Sequence, residues 1–369
     1  MAHKVIISGG GTGGHVYPAI AIADALRAKE STIDILFVGA EGKMEMERVP
    51  RAGYTIVGLP VVGFQRKLTL KNLAFPFKLM RSMRLAKRIV HDFSPAVAVG
   101  VGGYASGPVL KAAAANGCKT IIQEQNSYPG VTNKILSRSA SKICVAYEDM
   151  ARFFPAEKIV VTGNPVRSDI NNLENKRNIA CASFGLDPMK KTILVLGGSL
   201  GARTLNNAMH TAKDLIAENQ EIQWLWQCGK LYYDEFKNSA VARLSNVHIL
   251  QFIEKMDEAY AIADLVISRA GALSISEICI AAKPTILVPS PNVAEDHQTH
   301  NAMALVNKNA AQLVTDHDAT EQLIVEALKL IDQPDQLKLL AKNAFTLAKP
   351  RAADEIADII IAHFNPTSV

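Results

Sequence analysis

Short apolar runs closed by glycine, asparagine or proline alternate with longer stretches of helical spacing along the whole chain. Lys4–Ile7, Ile33–Val38, Ala96–Gly100, Thr120–Gln123, Lys142–Val145 and Ile159–Thr162 predict strands in the first half. Thr192–Leu196, Gln223–Cys228, Val247–Leu250, Leu265–Ser268, Thr285–Val288 and Ala311–Val314 do so in the second. Helical patterns such as Arg203–Asn219, Ala272–Ala281 and Glu321–Ile331 lie between them. Strands that are apolar throughout, each followed by a helix, predict an α/β protein with parallel sheets and right-handed crossovers. Ligands of such sheets gather at the carboxyl ends of the strands.

The first strand runs into Ser8-Gly9-Gly10-Gly11-Thr12-Gly13-Gly14-His15 and then an Ala-rich helix, with Pro18 expected in its first turn. Strand, glycine turn and helix start present unpaired N–H groups and the positive end of a helix dipole, an anion site and most often a phosphate site. Gly9, Gly11 and Gly14 also satisfy GxGxxG, and Glu41 near the end of the next strand could hold a ribose, as in a dinucleotide enzyme. His15 favours another chemistry. An imidazole just past the last glycine suits a base acting on a hydroxyl beside a phosphate. A His that merely caps or packs is the plainer alternative.

The seam lies near Thr162-Gly163-Asn164-Pro165-Val166-Arg167, after which Asn171–Arg177 is polar and linker-like. Lys191–Leu196 then leads into Gly197-Gly198-Ser199-Leu200-Gly201-Ala202, the first motif rebuilt with Ser in place of His. Two domains are expected, 1–165 and 166–350, each offering a glycine turn to a shared cleft.

Other polar groups stand at strand ends. Gly103, Tyr104 and Ser106 follow one strand, and Glu124, Gln125 and Asn126 end another. Arg269–Glu277 follows a strand and opens a helix, where Glu277 could bridge two vicinal hydroxyls or be only a solvated acid favoured by the dipole. Asp296 and His297 offer two metal ligands without a third.

The 369 residues are 49 % hydrophobic and 20 % charged, enough for two full cores. No apolar run reaches the roughly 18 residues that span a bilayer, and no signal peptide is expected ahead of the first strand. Cysteines 118, 144, 181, 228 and 279 never form CxxC and read as reduced thiols of a cytosolic protein. The net charge of +5 is uneven: residues 1–165 hold 21 Lys and Arg against 11 Asp and Glu, and residues 166–369 hold 19 against 24. The first half therefore suits an anionic partner, a membrane surface or nucleic acid. Phe64–Val90 carries eight of its cations and no acid, with Leu68, Leu70, Leu73, Phe75 and Phe77 interleaved. From Lys78 the spacing is helical, with Leu79, Met80, Met83, Ala86 and Val90 on one face and Arg81, Arg84 and Arg88 on another.

Eight motifs are carried in one order over nearly the whole chain: GGGTGGHVYPA (9–19), GVGGYASGP (100–108), EQN (124–126), GNPVR (163–167), GGSLGA (197–202), FIEKM (252–256), RAGALSISE (269–277) and DHQTHNA (296–302). With these the sequence resembles the MurG family of peptidoglycan glycosyltransferases, glycosyltransferase family 28. The resemblance implies a GT-B fold, two Rossmann-like domains facing a cleft, with a C-terminal helix near 351–364 crossing back to the first. It implies an inverting transfer of N-acetylglucosamine from UDP-N-acetylglucosamine to lipid I, undecaprenyl-pyrophosphoryl-N-acetylmuramyl-pentapeptide, giving lipid II. No cofactor, metal or nucleic acid is implied, and the place of action would be the cytoplasmic face of the cell membrane, through about Phe64–Val90.

By motif, His15 resembles the catalytic base, a role its helix N-terminus assists by disfavouring the imidazolium. Thr12, Gly13 and Gly14 resemble the turn at the donor's phosphate and sugar, and Asn126 a sugar contact. Arg167 and Ser199 resemble diphosphate-side contacts, and Ile253 a main-chain contact to uracil. Ala272, Leu273 and Ser274 resemble the nucleotide-binding helix start, Glu277 the ribose ligand and Gln298 the reader of the sugar hydroxyls. Gly103, Tyr104, Ser106, Glu124 and Gln125 are expected toward the acceptor. A GT-B transferase with another lipid acceptor, an epimerase of the same fold and an NAD(P) oxidoreductase are the alternatives.

Overall fold

The computed structural model describes residues 3–61 and 75–364, except for the side chains of residues 75, 76 and 294. The part of the basic stretch from Phe64 to Ala74, with Arg66, Lys67, Leu68, Leu70, Lys71 and Leu73, lies outside the described residues. The chain forms two compact units, Met1–Arg167 with Lys349–Val369, and Ser168–Ala348.

The first unit runs β1 (Lys4–Ser8), α1 (Gly13–Lys29), β2 (Asp34–Ala40), α2 (Glu45–Arg51), β3 (Thr55–Leu59), α3 (Phe75–Phe93), β4 (Val97–Gly100), α4 (Ser106–Ala115), β5 (Lys119–Glu124), α5 (Val131–Leu136), β6 (Lys142–Val145) and β7 (Ile159–Val161). Its sheet is parallel throughout, in the order β3-β2-β1-β4-β5-β6-β7. Both faces are covered, which is why the strands read as unbroken apolar runs. Val5 and Ile7 pack with Ile22 and Leu26 of α1, whereas Ile6 packs with Val90 of α3 and Leu110 of α4.

The second unit runs α6 (Arg177–Phe184), β8 (Lys191–Leu196), α7 (Arg203–Thr211), α8 (Lys213–Glu218), β9 (Ile222–Gln227), α9 (Tyr233–Phe236), β10 (Val247–Leu250), α10 (Met256–Ile262), β11 (Leu265–Ser268), α11 (Ala272–Ile280), β12 (Thr285–Leu287), α12 (His297–Val306), β13 (Gln312–Leu313), α13 (Ala319–Ile331) and α14 (Pro334–Thr346). Its parallel sheet has the order β10-β9-β8-β11-β12-β13. Trp224 and Trp226 fill its core beside Ile193, Val195 and Ile267. The last helix, α15 (Ala352–Ala362), belongs to the first unit and packs Ile356, Ala357 and Ile360 into the core under α1.

Four details differ from the sequence expectation. The single helix expected over 203–219 is two, because Ala212 leaves helical geometry at φ −85°, ψ 19°. Pro18 is the sixth residue of α1 and not in its first turn, so the Gly14 carbonyl has no N–H from Pro18 to accept. β3 was not foreseen, since Gly58 interrupts an otherwise β-branched run at the sheet edge. On α3 the expected apolar face is only half core. Ala86 and Val90 are buried, while Leu79 and Met80 are exposed beside Phe77 at 71 % exposure.

Candidate active site

In the first unit the strand order reverses between β1 and β4, the switch point where open α/β sheets bind ligands. The glycine turns after these two strands interlock there. A Cβ on Gly103 would lie 2.3 Å from the Gly10 carbonyl oxygen, so no side chain fits between the turns. His15 sits in the first turns of α1, with its amide and that of Val16 donated to the Thr12 carbonyl at 3.1 and 3.2 Å. Its Nδ1 is 3.2 Å from the Gly10 carbonyl oxygen and 3.2 Å from Thr12 Oγ1. A carbonyl can only accept, so the Gly10 contact assigns the proton of neutral His15 to Nδ1 and the lone pair to Nε2. The ring rests over Gly102, where a Cβ would come within 2.8 Å of Nε2.

The anion site expected at this turn is not vacant to a ligand at Gly11. Glu45, fully buried at the start of α2, accepts the Gly11 amide at 2.9 and 3.1 Å and the Ala40 amide at 3.0 Å. Glu41, the residue considered for a ribose, is exposed one turn earlier. Thr12 and Gly14 are exposed and Gly13 half-buried, so these three remain at the surface of the turn.

Three residues expected toward the acceptor form hydrogen bonds to the loops around them. Ser106 is fully buried with Oγ 2.8 Å from the carbonyls of both Ser8 and Gly102. Gln125 donates to the Val101 carbonyl at 2.8 Å and to Gln123, which in turn donates to Asn164 at 3.0 Å. Glu124 takes the Asn126 and Gly130 amides at 3.1 Å each and Asn133 Nδ2 at 2.9 Å. Burial pushes its carboxyl up from the ordinary range, against these donors, which pull it down. A side chain so occupied holds Asn126 in place. Tyr104 is exposed and Gly103 half-buried beside His15's turn. Arg167 places its guanidinium 5.6 Å over the Tyr17 ring, on the helix that carries His15.

The second unit repeats the arrangement at its own reversal, between β8 and β11. Gly201 donates back to the Gly198 carbonyl at 3.1 Å, and a Cβ on Gly229 would lie 2.1 Å from Gly201 Cα. That tight fit leaves Ser199 and Leu200 exposed at the tip, ahead of α7. After β11, Gly271 precedes Ala272, Leu273 and Ser274 in the first turn of α11. Glu277 follows on that helix, and the buried Tyr260 donates its hydroxyl to Glu277 Oε2 at 3.2 Å. The Ile253 amide is donated to Gln227 Oε1 at 2.8 Å. Gln298 on α12 accepts the Ser290 amide through Oε1 at 2.9 Å, which fixes that end of its side chain. Among the described residues, Asp296 and His297 gain no third side chain that would complete a metal site.

Residues 5–145 match the Glycosyltransferase family 28 N-terminal domain, and residues 192–356 match the Glycosyltransferase family 28 C-terminal domain. The chain belongs to glycosyltransferase family 28. It is 56 % identical over 357 residues, 96 % of this chain and 94 % of the relative, to the UDP-N-acetylglucosamine–N-acetylmuramyl-(pentapeptide) pyrophosphoryl-undecaprenol N-acetylglucosamine transferase of Phocaeicola vulgatus. The protein of the same name from Flavobacterium psychrophilum is 52 % identical, with 97 % of each chain covered. The crystal structure of Acinetobacter baumannii MurG superposes with a TM-score of 0.76 at 30 % identity, covering 97 % of this chain and 99 % of that one. The two parallel-sheet units are those of a GT-B enzyme, and the chain is a family 28 glycosyltransferase. Solved UDP-N-acetylglucosamine 2-epimerases, such as that of Neisseria meningitidis at 15 % identity and TM-score 0.69, share the fold. Three supporting residues, Glu45, Gln227 and Tyr260, escaped the sequence reading. Each acts on a neighbour distant in sequence, and none of the three lies inside a candidate motif.

Proposed function

We propose that this enzyme transfers N-acetylglucosamine from UDP-N-acetylglucosamine to the C4 hydroxyl of lipid I, giving lipid II with inversion at the anomeric carbon. The observation that carries this reading is the likeness, over nearly the full chain, to transferases of that name, with His15 and Glu277 both in place.

The second unit holds the donor. The Ile253 amide is already committed, so its carbonyl is left to accept uracil N3–H. Glu277, steadied by Tyr260, accepts both ribose hydroxyls, and Gln298 reads the sugar. The amides of Ser199 and Leu200 and the N-terminus of α7 take the charge that develops on the departing diphosphate. In the first unit, Nε2 of His15 takes the proton of the acceptor hydroxyl as its oxygen bonds to C1. The C1–O bond to the β-phosphate breaks and UDP leaves with the electron pair. Tyr104 and Gly103 stand on the acceptor side of His15's turn, Asn126 contacts the donor sugar, and Arg167, beside Tyr17, meets the diphosphate.

The acceptor is anchored in a membrane, and α3 supplies the contact at its cytoplasmic face. Exposed Phe77, Leu79 and Met80 stand among exposed Lys78, Arg81, Arg84, Lys87 and Arg88. Such a helix lies in the interface, its apolar tips among acyl chains and its cations on anionic headgroups. Incubation with radiolabelled UDP-N-acetylglucosamine and a short-chain lipid-linked muramyl-pentapeptide tests the whole reading. Label is expected in the lipid-linked product; release of free sugar alone, or no turnover, overturns it.

A further inference from the structure

The Gly10 carbonyl and the Gly11 N–H belong to one peptide unit, and in a trans peptide they point in opposite directions. Glu45 grips one end of this unit and His15 Nδ1 contacts the other, at 2.9 Å to the Gly11 nitrogen and 3.2 Å from the Gly10 oxygen. The carboxylate's seat is built. A Cβ on Gly10 would fall 2.0 Å from Glu45 Oε1, and one on Gly39 would fall 2.6 Å from Glu45 Cγ, so two glycines make room for this one side chain. The Ala40 amide, at 3.0 Å, fixes the carboxylate from the side of β2.

We propose that Glu45 is a positioning residue for His15, acting through the Gly10–Gly11 peptide, and that the first glycine turn is built to hold the base and not to bind phosphate at Gly11. The proposal rests on the reading of His15 as the base. A carboxylate on the N–H side polarises the peptide and makes the Gly10 carbonyl a stronger acceptor. That keeps the Nδ1–H tautomer, turns Nε2 into the proton acceptor, and steadies the imidazolium formed when the hydroxyl proton arrives. The arrangement does for His15 what a directly bonded carboxylate does in a hydrolase triad, with a peptide bond interposed. Two other charged groups belong to elements around the ring: Arg167 over Tyr17, and Glu124 at the end of β5. Neither changes when Glu45 is replaced.

Glu45→Gln is the variant of choice, because an amide can keep Oε1 on both backbone donors while losing the charge. The ring nitrogens of selectively 15N-labelled histidine are followed by NMR across pH in wild type and variant. In wild type, neutral His15 is expected protonated on Nδ1. In Glu45→Gln its titration is expected to move to lower pH, since loss of negative charge disfavours the imidazolium. A directly bonded carboxylate is worth up to about 10⁴ in kcat, and through a peptide a loss of about tenfold is expected. The KM for UDP-N-acetylglucosamine is expected to stay within about twofold, and the acid limb of kcat/KM to move with the ring titration. A wild-type His15 protonated on Nε2, a measurement needing no variant, overturns the proposal. So does a Glu45→Gln titration identical to wild type. Full activity in His15→Ala would instead remove the base assignment, and the NMR titration would still report whether Glu45 and His15 are coupled.

Discussion

At the scale of single residues, the chemistry depends on side chains whose neighbours have already fixed their orientation. His15→Ala is expected to lower kcat by about 100-fold or more with little change in donor KM, the usual worth of a general base. Steady-state kinetics check it, and a kcat within a few-fold of wild type would place the base elsewhere. Glu277 is expected to make the enzyme distinguish UDP from its 2′- and 3′-deoxy forms, as losing a charged hydrogen bond costs about 1.5–3 kcal/mol. Calorimetry should show Glu277→Ala binding all three about equally poorly; equal affinity of the wild type for UDP and the deoxy forms would remove Glu277 from the ribose. Tyr260→Phe probes the layer beneath: weaker UDP binding, with the deoxy discrimination partly kept, is the outcome expected if its hydroxyl only steadies the carboxylate. His15 and Glu277 were legible in the sequence because each stands inside a short glycine-bounded motif. Glu124, Gln125 and Ser106 were legible only as polar groups at strand ends, and sequence cannot say whether such a group faces outward or turns inward to bond its own loop.

At the scale of elements, apolar runs of four to six residues foretold every strand but β3, because a parallel sheet covered on both faces demands them. The foresight ended where burial is one-sided. α14 buries only Leu340 and Ala344, and β3 is an edge strand interrupted by Gly58. On α3 the helical period identified one apolar stripe, yet only its later turns are covered by α4 and the sheet. The uncovered turns make a prediction. Phe77→Ser, Leu79→Ser and Met80→Ser together are expected to cut co-sedimentation with vesicles containing anionic lipid, while the fold stays intact because none of the three is in the core. Each Lys or Arg near the surface adds about 1 kcal/mol, so binding should also fall with salt. A triple variant that sediments as well as wild type would assign the membrane contact to another surface.

At the scale of the whole molecule, the first unit is assembled from two stretches far apart in the chain. α15 inserts Ile356 and Ile360 beside Ile22 and Leu26, Lys29 pairs with Asp358 at 2.8 Å, and the rings of His3 and Phe364 stack with centroids 4.3 Å apart. Ile356→Ala is expected to cost about 2–5 kcal/mol, as for other buried large-to-small changes. Hydrogen exchange should register that loss in β1 and α1, with β8 and β9 unchanged; protection lost equally in both units would contradict the division. The same architecture sets an order of events during synthesis. A ribosome emits residues 1–167 first, but the core they form lacks a wall until α15 has emerged. The second unit, closed within 168–348, has all of its own residues sooner. The unit whose first residues are made earlier is thus the later to become complete, and until then its unfinished core is the surface most in need of a chaperone.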